Sequence, residues 1–157
     1  MSLKWKDSFS IGVDSIDKQH KELFEEANVF ITNMSSAKDI KKIRRMFIFL
    51  ENYVLRHFRL EEKHMRQAGY PKYESHKAMH EEFKYSLAGL KAALNEWGPS
   101  EALLGKTTRF VKTWLLAHVG KADKSFGDFL KKESPAAKAV PASRPQARKR
   151  QSQPQKA

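Results

Sequence analysis

Residues 76–94 read HKAMHEEFKYSLAGLKAAL, and their periodicity decides the fold. His76, Met79, His80, Phe83, Leu87, Leu90 and Leu94 recur at three- and four-residue steps, the period of one face of an α-helix rather than the alternation of a strand. Three other segments repeat the pattern. His20, Leu23, Phe24, Ala27, Phe30, Ile31 and Met34 form the first stripe. Ile43, Met46, Phe47, Leu50, Tyr53 and Val54 form the second and run on into His57 and Glu61. Leu103, Thr107, Phe110, Val111, Trp114 and His118 form the last. The breaks between them are short: Ser35-Ser36 with Lys38-Asp39, then Gly69-Tyr70-Pro71 with Pro71 suited to a helix start, then Gly98-Pro99-Ser100 as a stop and a new N-cap before Glu101. Short loops between long helices make sequential helices antiparallel neighbours, so the expected fold is all-α, an up-down-up-down four-helix bundle.

Ionisable residues interrupt these apolar stripes in a regular way. His20 opens its helix, His57 and Glu61 close theirs, His76 and His80 open the third, and His118 closes the fourth, with Asp123 just beyond. In an up-down bundle all of them gather at one end. Burying them costs several kcal/mol each unless something binds them, and a metal cluster does so. His57 and Glu61, like His76 and His80, stand four residues apart, which places each pair on one helix face about a turn apart. Such a pair alone also fits a surface patch, and a single core histidine can be satisfied by a backbone carbonyl. Convergence of five histidines and two carboxylates favours the metal. Asp123 is the least secure member: five residues beyond His118, it would point about 140° away on a regular helix. Gly120 between them offers a place to end or loosen the helix and turn Asp123 back; otherwise Asp123 caps a short final helix over Lys124–Leu130.

Imidazole and carboxylate suit iron, zinc, copper or manganese, so ligand type alone leaves the metal open. The ligands exceed what one ion holds. Two six-coordinate ions, sharing two bridging carboxylates and a bridging oxide or hydroxide, would leave a single position free for a small molecule. His64 follows Glu61 by three residues among charged neighbours and is expected at the surface, with support of a ligand as its secondary role.

Composition narrows the rest. The 157 residues suit one domain, and an apolar content of 40% suffices for a bundle core. The absence of cysteine removes disulfides, iron–sulfur clusters and thiolate zinc sites. No signal peptide is read at Met1–Asp7, and the longest apolar run, Met46–Leu50, is too short to span a bilayer, so the expected location is the cytoplasm. Residues 134–157 carry Lys138, Arg144, Arg148, Lys149, Arg150 and Lys156, four prolines and no acid. Removing those six charges from the net +12 leaves +6 on residues 1–133. The expectation is a domain over 1–133 and a disordered basic tail over 134–157, suited to a polyanion, an anionic membrane surface or an acidic protein, or serving only as a solubilising extension.

The residues around the ligands carry a resemblance. The stretch from Trp5 through SFSIGVDSIDKQHKELF, then HFRLEE, GYPKYESHKAMH and WLLAHVGKAD, resembles the hemerythrin family, specifically its bacterial type, bacteriohemerythrin, over about Trp5–Asp128. What the resemblance implies is a non-haem di-iron site: one iron held by His76, His80 and His118, the other by His20 and His57, with Glu61, Asp123 and an oxide or hydroxide as bridges. Dioxygen would bind the second iron when both are ferrous, taking two electrons and the bridging proton as hydroperoxide, and leave reversibly. Leu23, Phe58, Phe83, Trp114, Leu115 and Val119 match the family's pocket-lining positions; as bulky apolar neighbours of the ligands they also read as ordinary core. The favoured function is therefore reversible dioxygen carriage, storage or delivery, without enzymatic turnover. Sensing through a partner protein stands second, and a di-iron enzyme removing peroxide or oxidising iron third.

Overall fold

The computed structural model describes residues 2–36 and 40–133. A 3₁₀ turn at Asp7–Phe9 leads into four long helices: α1 (Asp14–Ser36), α2 (Ile40–Gln67), α3 (Tyr73–Trp97) and α4 (Glu101–Ala117). A π-helical turn at His118–Asp123 and a short helix α5 (Lys124–Glu133) follow. There is no strand among the described residues, and no helix is long and apolar enough to cross a membrane. The basic segment 134–157 and the Lys38-Asp39 link lie outside the described residues.

α1 packs on α2 and α4, and α3 on the same two, closing a four-membered ring. Contacts along three of these interfaces run in opposite chain directions. His20 meets His57 while Phe30 meets Phe47; Phe58 meets His80 while Glu51 pairs with Lys91 and Arg44 with Asn95; His76 meets His118 while Phe83 meets Phe110. The bundle is therefore up-down-up-down, and it brings the starts of α1 and α3 level with the ends of α2 and α4. The apolar stripes fill its centre: Phe24, Ala27, Met34, Ile43, Phe47, Leu87 and Leu94 are all buried. Each of the larger of these side chains is worth about 1.5–3 kcal/mol on leaving water, which is what orders the helices.

The corners follow local chemistry. Gly69, at φ +63°, ends α2 in the left-handed conformation that glycine adopts without penalty. Its N–H donates to Arg66 and that of Tyr70 to Met65, the paired bonds of a Schellman motif, and Tyr70 and Met65 share a small core. Pro71 does not start α3. It occupies the second position of the turn closed by Tyr73 N–H on the Tyr70 carbonyl, where its fixed φ fits equally well. Gly98, at φ +76°, stops α3, and the Ser100 hydroxyl accepts from Leu103 N–H to cap α4.

Beyond the four helices, the N-terminal segment and α5 close the end of the bundle that holds the histidines. Leu3 exchanges backbone bonds with the Asn28 side chain at 2.7 and 2.8 Å, pinning the arm along α1. Asp17 accepts from Ser10 Oγ and from the N–H groups of Ile11 and Gly12. A second core, Ile11, Ile16, Met65, Tyr70 and Phe126, then seats α5 against this loop.

Candidate metal centre

Seven ionisable side chains meet at that end, every one of them buried: His20, His57, Glu61, His76, His80, His118 and Asp123. The geometry of the bundle accounts for the six that lie on the stripes. Asp123 needs the π turn. The chain does not leave the helix at Gly120; from His118 to Asp123 it widens instead. In a π turn residue i bonds to i+5, so side chains five apart return to one face. Asp123 therefore turns inward with His118, their carboxylate and imidazole 3.0 Å apart, and it lies fully inside the cluster instead of at a helix cap.

The side chains form two sets that share Glu61. Glu61, His76, His80 and His118 bring ligand atoms within 4.8 Å of one another, and so do His20, His57, Glu61 and Asp123. Both carboxylates reach toward both sets. Asp123 turns Oδ1 to His76 (3.2 Å) and His118 (3.0 Å) and Oδ2 to His20 (3.1 Å). Glu61 turns Oε2 to His80 (3.3 Å), His76 (3.5 Å) and His57 (3.9 Å), and Oε1 to His20 (3.8 Å).

Outer partners fix the direction of two rings. His57 Nδ1 lies 3.1 Å from the Gln19 side-chain oxygen and His80 Nδ1 lies 3.0 Å from Glu62. Both oxygens accept, so the proton sits on Nδ1 and the Nε2 lone pair faces the cluster, the arrangement typical of metal-ligating histidine. Gln19 is in turn held in place by its own carbonyl, which accepts from the Tyr53 hydroxyl at 2.9 Å. Sequence reasoning assigned no role to Gln19 or Glu62, although each adjoins a ligand in the chain. His64, considered for such a role, is half-buried in the last turn of α2 and belongs to neither set.

Buried and half-buried aromatic and aliphatic groups wall the cluster. Phe58 stacks on His80 at 3.8 Å and Trp114 on His118 at 4.2 Å, with Phe83 against both Phe58 and Trp114. Leu23, Leu115 and Val119 are buried in the same core. Trp5, 6.2 Å from His20, and Phe24 cover the α1 side; Trp5 was quoted in the sequence motif without a role.

The electrostatics call for positive charge. Burial would raise the pKa of Glu61 and Asp123, yet the imidazoles around them hold both well below the usual carboxylate range. Burial works against charge on His118 too, but Asp123 and Glu61 outweigh it and push its pKa up to about 9. Asp123 likewise raises those of His20 and His76 against their burial. At His57 burial wins, and the pKa falls to about 4.

A cation pair fits these residues. Both oxygens of Glu61 and of Asp123, His57 Nε2 and His20 Nε2 are buried without a hydrogen bond, a concentration of orphaned polar atoms that a protein interior does not otherwise tolerate. His118 Nε2 lies 3.1 Å from His76 Nε2 and 3.0 Å from His80 Nε2. Imidazole ligands about 2.1 Å from one ion and at right angles to each other would stand about 3 Å apart, so these separations suit adjacent corners of a six-coordinate site. Five imidazoles with two carboxylates are a donor set for borderline transition metals, iron included, and not for calcium or magnesium.

Comparison with known proteins agrees. Residues 11–130 match the family described as the Hemerythrin HHE cation binding domain. The chain is 34% identical over 124 residues to a bacteriohemerythrin of Methylococcus capsulatus, covering 78% of this chain and 91% of that one. It is 34% identical over 119 residues to myohemerythrin-1 of Phascolopsis gouldii, covering 76% and 87%. A crystal structure of wild-type hemerythrin superimposes with a TM-score of 0.72 at 30% identity, covering 82% of this chain and 97% of that one. With the segments that carry the buried cluster inside the matched span and its bundle superimposing on a solved member, this chain belongs to the hemerythrin family.

Proposed function

We propose that the chain binds dioxygen reversibly at a pair of non-haem irons, with His76, His80 and His118 holding one, His20 and His57 the other, and Glu61 and Asp123 bridging them together with an oxide or hydroxide. One observation carries this reading: two four-residue ligand sets share Glu61, and Asp123 presents one oxygen to each side. A single-ion site has no use for such sharing. When bound, the metal pair would supply two electrons and an exchangeable position for the gas.

The protein's part is to hold, orient and insulate. Gln19 and Glu62 fix the tautomers of His57 and His80. Leu23, Phe58, Phe83, Trp114, Leu115 and Val119 line the oxygen pocket in this reading and keep water from it. The donor set supports storage of oxygen over its use, because the only carboxylates in either set are Glu61 and Asp123. Enzymatic di-iron sites in four-helix bundles lean on more carboxylates than this. We take the oxygen-binding unit to end at Glu133, with residues 134–157 as an appendage.

Metal analysis of protein from iron-replete cells is expected to give two irons per chain. The ferrous protein is expected to form, on exposure to air, an oxygenated species whose spectrum reverts under vacuum. A single ion per chain, or zinc in place of iron, would overturn the di-iron assignment; immediate and irreversible conversion to the diferric form would overturn reversible binding.

A further inference from the structure

On the α1 side the cluster is closed by Trp5, Phe9 and Phe24, but between α3 and α4 it approaches the surface. His76 and His118 reach a cleft of about 500 Å³ formed by the start of α3, the end of α4 and the π turn. Trp114, half-buried and stacked on His118 at 4.2 Å and 13°, lines the same cleft. Lys72 and Lys121 also line it, beside the hydroxyls of Ser75 and Ser125.

A second hollow of about 410 Å³ shares Tyr70, Lys72, Lys121 and Ser125 with the first and continues onto α5, adding Lys124 and Lys132. Lys72, Lys121 and Lys132 are exposed and have no ion-pair partner among the described residues. Lys124 donates to the Ser10 carbonyl. The acids on these two surfaces are Glu82 and Asp128, so lysine predominates. An apolar, aromatic floor in contact with a buried cluster, edged by unpaired cations, suits a protein whose own exposed redox group lies in an acidic surface.

We propose that this face docks an acidic one-electron carrier protein, which returns the iron pair to the ferrous state after it has been oxidised, with the Trp114–His118 stack as the point of closest approach. This rests on the di-iron reading above. Two carriers each give up one electron and are oxidised; the two electrons reduce both ions from ferric to ferrous, and a bridging oxide takes up one proton from solvent. An oxygen-binding site inside a wall of aromatic and aliphatic side chains needs such a place, because a protein reductant is too large to enter the cluster and must pass its electrons through the side chains that line the cleft.

The test uses the full diferric chain, its Lys72→Glu/Lys121→Glu variant and reduced flavodoxin as the acidic probe. The parent's second-order reduction rate is expected to fall as salt is added, and the variant's to be about tenfold or more lower at low ionic strength. Reduction by the cationic methyl viologen radical should not slow in the variant. Carbodiimide cross-links between flavodoxin and the parent should map to Lys72 and Lys121. Equal flavodoxin rates in parent and variant, or cross-links confined to residues 138–156 or to the lysines of α2, would overturn the docking face. The variant's iron content and oxygenated spectrum are expected to match the parent's. A parent that never forms an oxygenated species would overturn the function proposed above and would show in a separate measurement.

Discussion

His118 lies 3.0 Å from Asp123 and from His80 and 3.1 Å from His76, so truncating it removes an imidazole from the densest part of the cluster. His118→Ala should bind less than one iron per chain and unfold at a lower temperature, because metal affinity in a buried site is also folding free energy. Full iron content in that variant would show that His118 is not a ligand. The same residue gives the iron-free protein a distinctive pH response. In the fold its pKa rises from an ordinary 6.5 to about 9, so the stability it contributes is complete below pH 6.5 and is lost as pH rises through 9. His20 and His76 shift in the same direction. His57 shifts the other way, to about 4, and its contribution is lost on the acid side, as are those of Glu61 and Asp123. Iron-depleted protein should therefore lose stability between pH 7 and pH 10, on the order of a few kcal/mol at most, and its Tm should fall with it. Iron-loaded protein should not, since coordinated imidazoles carry no second proton to lose in this range. A flat Tm for the depleted protein from pH 7 to 10 would contradict the imidazolium–carboxylate picture.

At the scale of elements, the residues that periodicity could see were placed and those it could not see were not. Leu87, Leu90 and Leu94 repeat at helical steps, so the bundle and the level of its histidines are legible in the sequence alone. The Gly98 stop and the Ser100 cap were legible because glycine and serine carry their own conformational chemistry. The π turn was not: nothing in HVGKAD distinguishes a widened helix from an ended one, and Asp123 was accordingly the least secure ligand. Gln19 and Glu62 were hidden for a related reason, since a polar residue beside a ligand looks like any solvated helix position. The seating of α5 was also hidden, because it depends on contact between distant segments. Gly127 shows how tight that contact is. A Cβ there would lie 2.7 Å from Ile11 Cβ, 2.8 Å from its Cα and 2.9 Å from its carbonyl oxygen. Alanine would gain up to about 1 kcal/mol of helix propensity, but overpacking against backbone costs about 1–3 kcal/mol, so the steric term wins. Gly127→Ala should lower Tm by several degrees and, because α5 continues from the π turn, weaken retention of iron against a chelator. A variant as stable as the parent would mean that α5 shifts without strain.

Across the whole molecule, the net charge divides evenly between residues 1–133 and residues 134–157. Six of the net twelve positive charges fall in residues 134–157, which contain no acid and only Val140 among larger aliphatic or aromatic side chains. A sequence of this composition offers little apolar surface to bury, and its charge leads us to expect that it would bind polyanions. The cluster, its outer partners and its wall are all drawn from residues 5–123, so oxygen chemistry should not depend on the segment. Cutting after Glu133 is thus expected to leave iron content and the oxygenated spectrum unchanged while weakening binding to DNA or anionic vesicles. Binding by the full chain should fall steeply with salt, because it rests on screened charge and counterion release, and should show no sequence preference. Polyanion binding that is equal with and without the segment at low salt would reduce it to a solubilising extension and shift attention to the lysines around the π turn and α5. Loss of iron on truncation would instead extend the functional unit past Glu133.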